Sequence, residues 1–174
     1  MLASLALVLL PLLGLTAAAP TKRYNGVQIV SGRDGKCLGA APKTGSGSAV
    51  TSVACTGTSY ATLWDINPGS GSVVLHGTNL ALDAGSTPGN NGALKVWTSY
   101  PGLYQQTWYL TGDNRIAITG GNQCLDEGTN GVQTYQCTPG NTNQVFTIGG
   151  GGPSPSSSAV PSSSSSPPQC TCPT

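Results

Sequence analysis

Between residues 24 and 148 the apolar positions fall in short or alternating runs, at residues 27–30, 73–75, 115–118 and 132–135 among others. Clusters of Gly, Asn, Pro and Ser separate them, the punctuation of short strands joined by tight turns. No window sustains a 3.6-residue apolar period, and glycine recurs too often for helices. The pattern predicts an all-β chain, a sandwich or a barrel.

Aligning that stretch with itself uncovers three copies of about 40 residues each. Each copy closes on an aromatic followed by an aliphatic: Trp64-Asp65-Ile66, Trp108-Tyr109-Leu110 and Phe146-Thr147-Ile148. The closing aromatics stand 44 and 38 residues apart. Upstream in each copy lies a short triplet, Cys37-Leu38-Gly39, Ala81-Leu82-Asp83 and Cys124-Leu125-Asp126. An alternating run follows, ending at Val53, Trp97 and Tyr135, each 11 residues before its closing aromatic. One fixed offset and several matched positions define repeats of about 27–66, 71–110 and 112–148. The cysteines obey the same register. Cys37 and Cys55 in the first copy match Cys124 and Cys137 in the third, while the second has Ala81 and Ser99. Loss of both members together is what a mutually bonded pair would show. Of the three pairings that four cysteines allow, only Cys37–Cys55 with Cys124–Cys137 respects the repeat. Loops of this length contribute about 3 kcal/mol each in the chain-entropy view.

The ends are of another kind. Residues 1–19 hold 15 apolar residues, and Thr16-Ala17-Ala18 supplies the small residues of a cleavage site. This predicts a signal peptide over residues 1–18 and hence secretion, where disulfides persist. Residues 19–23 read as a short propeptide ending in the dibasic Lys22-Arg23, against the plainer reading of a basic pair in a frayed end. Of residues 149–168, 18 are Gly, Pro or Ser. Such a stretch has too little apolar surface for a core, so 149–174 is predicted to be a disordered Gly/Pro/Ser-rich linker and tail. Cys170 and Cys172 are too few for a four-ligand metal site, and no metal or cofactor is implied. Residues 24–148 form one domain, long enough to bury about two-thirds of its unfolded surface. That domain carries five Lys/Arg and six Asp/Glu with no basic run. A phosphate backbone needs clustered cations, so nucleic acid is excluded as a partner, and no segment suggests membrane insertion.

With Gln106-Thr107-Trp108, the variant Gln144-Val145-Phe146 and a degraded Thr62-Leu63-Trp64, the chain resembles the ricin B-chain type, or QxW, β-trefoil lectins. That group also supplies carbohydrate-binding modules of glycoside hydrolases. Its most telling stretch is Cys124-Leu125-Asp126 followed by Val132-Gln133-Thr134-Tyr135-Gln136-Cys137 and Asn143-Gln144. The resemblance spans about residues 27–148. It implies a pseudo-threefold barrel of twelve short strands whose closing aromatics pack the core.

The resemblance also implies one shallow sugar site per repeat, formed by an aspartate, a stacking aromatic and amides. A carboxylate accepts from two sugar hydroxyls and an amide both donates and accepts. An aromatic face covers the C–H side of a pyranose. Carried over by position, the third copy is complete with Asp126, Gln133, Tyr135, Asn143 and Gln144. The second keeps Asp83, Trp97, Gln105 and Gln106, has Lys95 in place of Gln133, and carries a longer loop between acid and aromatic. The first has Gly39, Val53, Ala61 and Thr62 at these places and is expected to be structural only. Gln106 and Gln144 have the alternative role of satisfying turn backbone, and an aspartate can equally build a turn. Asn79, Asn122 and Asn130 are read as turn residues. Asp126 and Glu127, as strand neighbours, face opposite ways and make a poor glycosidase pair. His76, read as a surface strand residue, has no nucleophile partner for a triad. The expected function is a secreted, non-enzymatic lectin with two shallow sites for galactose-type sugars or plant-wall polysaccharide. The alternatives are a module accessory to polysaccharide breakdown, or a trefoil protease inhibitor.

Overall fold

The computed structural model describes residues 23–149. The proposed signal peptide, all of the propeptide but Arg23, and the tail beyond Gly149, with Cys170 and Cys172, lie outside the described residues. The strands are β1 (Tyr24–Val27), β2 (Ile29–Ser31), β3 (Cys37–Ala40), β4 (Ala49–Val53), β5 (Trp64–Ile66), β6 (Gly69–Gly71) and β7 (Val74–Leu75). They continue with β8 (Leu80–Asp83), β9 (Leu94–Thr98), β10 (Trp108–Leu110), β11 (Ile116–Ile118), β12 (Gln123–Gly128), β13 (Gly131–Gln136) and β14 (Phe146–Ile148). Setting aside β1 and β6 leaves the twelve expected, four per repeat.

The threefold symmetry closes through one pairing rule. The last strand of each repeat pairs antiparallel with the first strand of the next: β5 with β7, β10 with β11, and β14 with β2. That third pairing joins the end of the domain to its beginning, and the strands fall into a nine-stranded sheet from β1 to β14 and a four-stranded sheet from β10 to β13. Inside, equivalent residues stack in layers. Ile29, Val73 and Ile116 form one, Leu38, Leu82 and Leu125 another, and Trp64, Trp108 and Phe146 the largest, all at most 2% exposed. Burial of each aliphatic side chain is worth about 1.5–3 kcal/mol. The closing aromatics do more than fill space. The indole N–H of Trp64 donates to Leu38 O at 2.9 Å, and that of Trp108 to Leu82 O at 3.0 Å. Phe146 occupies the third place without a donor.

The two disulfides among the described residues follow the repeat, Cys37–Cys55 and Cys124–Cys137. Where the second repeat has no bridge, Ser99 N still donates to Asn79 O at 2.8 Å, as Cys137 N donates to Asn122 O in the third. The run at residues 27–30, read as one strand, divides at Gln28. Val27 pairs with Trp64 while Ile29 pairs with Ile148, so the chain changes partners between them. Gln28 serves that junction, its carbonyl accepting from Gly149 N and its amide donating to Cys55 O at 2.7 Å. His76 lies one residue beyond β7, in a turn, and its Nδ1 meets Asp65 Oδ1 at 2.7 Å. The expectation of a strand residue is corrected because the strand already ends at Leu75.

Two predictions follow from the packing. Trp64→Phe deletes the buried donor to Leu38 O and should lower unfolding stability by about 1–3 kcal/mol in urea titrations. Glu127 is 2% exposed, and burial raises its carboxyl above the ordinary value, against the opposing hydrogen bond from Ser52. An acid raised by folding favours the folded state while protonated, and that contribution fades as pH rises through the raised value. Glu127→Gln, neutral at every pH, should therefore be more stable than the parent near about pH 7, the difference narrowing on acidification; urea midpoints across that range measure it.

Candidate functional site

Within each repeat the second and third strands form a hairpin whose register fixes which side chains share a face. In the third repeat Cys124 stands opposite Tyr135 and Asp126 opposite Gln133. In the second, Ala81 faces Trp97 and Asp83 faces Lys95. In the first, Cys37 faces Val53 and Gly39 faces Thr51. Residues two apart on a strand point the same way, so acid and aromatic are delivered to one face in repeats two and three.

Repeat three forms a polar cleft of about 390 Å³ that contains Asp126, Gln133, Tyr135 and Asn143. Asp126 is 4% exposed, and its two oxygens accept from different amides: Gln133 Nε2 at 3.3 Å and Asn141 Nδ2 at 3.2 Å. Both bonds are long, and each carboxylate oxygen has lone-pair capacity left for a ligand hydroxyl. Tyr135 stands exposed at the rim. Glu127, the neighbour of Asp126, turns to Ser52 of the first repeat, so the two carboxyls do not share the cleft.

Repeat two forms a smaller cleft of about 180 Å³ with Asp83, Lys95, Trp97 and Gln105, rimmed by Tyr100 and Leu103. Asp83 is held more firmly than Asp126: Gly85 N donates to Oδ1 at 2.8 Å and Gln106 Nε2 to Oδ2 at 2.9 Å. Trp97 is 40% exposed, and the Lys95 ammonium lies 4.8 Å from the centre of its ring, a cation–π contact. Gly47, from the first repeat, approaches the same ring so closely that a Cβ there would lie 3.3 Å from it.

Gln106 and Gln144 belong to neither cleft. Both are fully buried, and each clamps the loop after the third strand of its repeat. The Gln106 side-chain carbonyl accepts from Tyr100 N at 2.8 Å while its amide reaches Asp83 and Thr98 O. The Gln144 side chain accepts from Thr138 N and donates to Gln136 O, both at 2.9 Å. Their expected contact with a ligand gives way to a positioning role, because no face of either amide reaches the surface. The 3-10 turns Tyr104–Gln106 and Thr142–Gln144 carry these clamps and set Gln105 and Asn143 on the cleft walls.

Repeat one lacks more than the acid. Its equivalent segment forms no such turn; Ala61 bridges to Ala40 instead, drawing Tyr60 over the hairpin. A Cβ at Gly39 would lie 2.5 Å from Val53 Cγ2 and 3.2 Å from Tyr60 Cβ, so the space is filled. A separate hollow of about 420 Å³ nearby is lined by Tyr60, Leu63, Leu75 and His76 among others, with no carboxylate.

Several contributors to the third cleft were not found by comparing the repeats, among them Asn141, Arg33 and Asn91. Asn141 caps its turn, accepting from Asn143 N at 3.1 Å while holding Asp126, which an Asn two residues before Asn143 could have suggested. Arg33 and Asn91 come from the first and second repeats, so no comparison within one repeat could find them. Asn130, read as a turn residue, lies in the two-residue hairpin turn and also lines the cleft.

Neither protein-family models nor curated proteins match the chain. Solved structures do. A designed threefold-symmetric protein, ThreeFoil, superposes with a TM-score of 0.61 at 21% identity, over 71% of this chain and 97% of its own. The C-terminal half of an earthworm R-type lectin, solved with N-acetylgalactosamine, gives 0.58 at 20% identity, over 72% and 98%. The Polyporus squamosus lectin, solved with a sialylated trisaccharide, gives 0.61 at 17% identity, over 72% and 49%. The three four-stranded repeats, joined by β14 on β2, thus have the β-trefoil fold that these R-type lectin structures share.

Proposed function

We propose that the domain is a non-enzymatic carbohydrate-binding protein, acting outside the cell, with sugar sites in the second and third repeats and none in the first. The observation that carries this reading is the hairpin register that sets Asp126 with Tyr135, and Asp83 with Trp97, on shared clefts. Each pair combines a hydroxyl acceptor with an exposed aromatic face, the two chemistries a pyranose ring presents. The solved complexes of two lectins of this fold, with N-acetylgalactosamine and with a sialylated trisaccharide, support a glycan as ligand. Two disulfides suit an oxidising compartment. The third-repeat site is the roomier, about 390 Å³ against 180 Å³, and Lys95 lies over the ring of Trp97 in the second.

A single shallow site with one stacked ring should bind near millimolar, about −4 kcal/mol. The two sites lie on different repeats of a ring and engage separate chains of a dense glycan surface, raising avidity by about 10²-fold or more.

Calorimetry with a bound monosaccharide should report two sites per chain. Asp126→Ala or Tyr135→Ala should remove the third-repeat site and Trp97→Ala the second-repeat site, each halving the stoichiometry. Binding to an immobilised glycan should fall by about 10²-fold in any of them as bivalency is lost. A stoichiometry unchanged by all three substitutions would overturn the assignment. Gly39→Asp should create no third site and should destabilise the fold, because Val53 and Tyr60 already occupy the space its side chain would need; one denaturation curve and one titration check both.

A further inference from the structure

The third-repeat cleft is built from all three repeats, and what the other two contribute differs in kind from the hairpin. Its volume, about 390 Å³, is more than twice the 180 Å³ of its counterpart in repeat two. Besides its own hairpin turn, with Thr129 and Asn130, the third cleft has walls that come from the other repeats.

One wall is the loop between β8 and β9, which crosses to the third repeat and is fastened to β13. Thr134 Oγ1 donates to Gly89 O at 2.7 Å, Thr134 N to Gly92 O at 2.9 Å, and Gln136 N to Asn90 Oδ1 at 2.7 Å. Between these fixed points Asn91 takes a left-handed conformation, φ 61°, which asparagine tolerates better than most residues, and lines the cleft. This loop of ten residues, against two in the third repeat, thus serves the neighbouring site.

The other wall is Arg33, in the turn after β2. Its Nη1 donates to Glu127 O at 2.6 Å, and its own N–H is held by Ser31 Oγ at 3.2 Å. The remaining guanidinium N–H groups have no partner among the described residues. The carboxylates around it are engaged elsewhere: Asp34 with Lys36 at 2.9 Å, Glu127 with Ser52, and Asp126 with two amides. Counting from the strand ends, Arg33 stands where the other repeats have Gly77 and Gly120, so a cation at this place is peculiar to the third cleft.

Building on the sugar-binding reading above, we infer that the third-repeat cleft takes an acidic oligosaccharide of at least two units. A neutral ring lies on Tyr135 with hydroxyls on Asp126, and the adjoining unit places a carboxylate on the Arg33 guanidinium, with Asn91 closing the far side. A planar guanidinium with unused parallel donors matches a carboxylate bidentately, which a neutral sugar cannot exploit. That carboxylate belongs either to an internal uronate or to a terminal sialate.

The test uses the full chain and three oligosaccharides sharing one neutral unit, linked to a neutral sugar, a uronate or a sialate. Calorimetry at low salt should show about tenfold or greater preference for one acidic member over the neutral one, shrinking as sodium chloride is added. Which acidic member wins identifies the source of the carboxylate. Arg33→Gln should bring the acidic ligand down to the affinity of the neutral one. Arg33→Lys, keeping charge but losing the fork, should retain part of the preference. Melting curves of both variants exclude misfolding as the cause. Equal affinity of the parent for all three ligands would overturn the inference while leaving the sugar-binding reading in place, as would a preference that survives Arg33→Gln. Binding to none of the three, nor to any other glycan, would bring down the sugar-binding reading and this inference with it.

Discussion

The antiparallel register of one hairpin in each repeat is the constraint on which the rest depends. Side chains alternate along a strand, so a slip of one residue would turn the acid and the aromatic of a repeat to the wrong faces. Each repeat guards that register differently. The first relies on the Cys37–Cys55 bridge and has Thr62 where a clamp would be. The second has no bridge and relies on Gln106, which ties the loop after β9 to the acid itself. The third has both the Cys124–Cys137 bridge and the Gln144 clamp. It is also the repeat whose cleft brings together Asp126, Gln133, Tyr135 and Asn143, and its two fastenings flank the hairpin that carries the acid and the aromatic.

Core and surface obey different symmetries. Inside, three layers of equivalent residues repeat almost without change, because a ring that must close on itself demands the same volume from each third. Outside, the turns between the second and third strands range from the two residues after β12 to the ten after β8, and the longer ones lean on the next repeat. The first-repeat loop brings Gly47 onto Trp97, and the second-repeat loop brings Asn91 to the cleft of Tyr135. A site on this ring is therefore a property of adjacent repeats, and a fixed core lets such walls vary without disturbing the hairpins that carry the acids.

Much of this was legible in the sequence because symmetry writes itself into spacing. The fixed offset to Trp64, Trp108 and Phe146 placed the layers, and the paired absence of Ala81 and Ser99 as cysteines placed the bridges. Asp83 and Asp126 were legible from the same register. What comparison among repeats could not supply is whatever breaks the symmetry. Arg33 and Asn91 reach the third cleft from other repeats, β1 and β6 lie outside the fourfold strand count, and the split at Gln28 arises from a change of pairing partner. The burial of Gln106 and Gln144 was equally hidden, since an amide that contacts a ligand and one that clamps a loop are written with the same letter.

On the proposed reading, ligand chemistry resides on the hairpin faces of repeats two and three and is absent from repeat one. The most direct test of that reading is a glycan titration of the isotope-labelled chain followed by amide and indole NMR shifts. Saturable shifts are expected at the Trp97 indole N–H and Gly85 N in one cleft and at the Gln133 and Asn141 side-chain amides in the other, with Gly39, Val53 and Tyr60 silent. Shifts gathered instead around Tyr60, Leu63 and His76, with the Asp126 cleft unmoved, would contradict it.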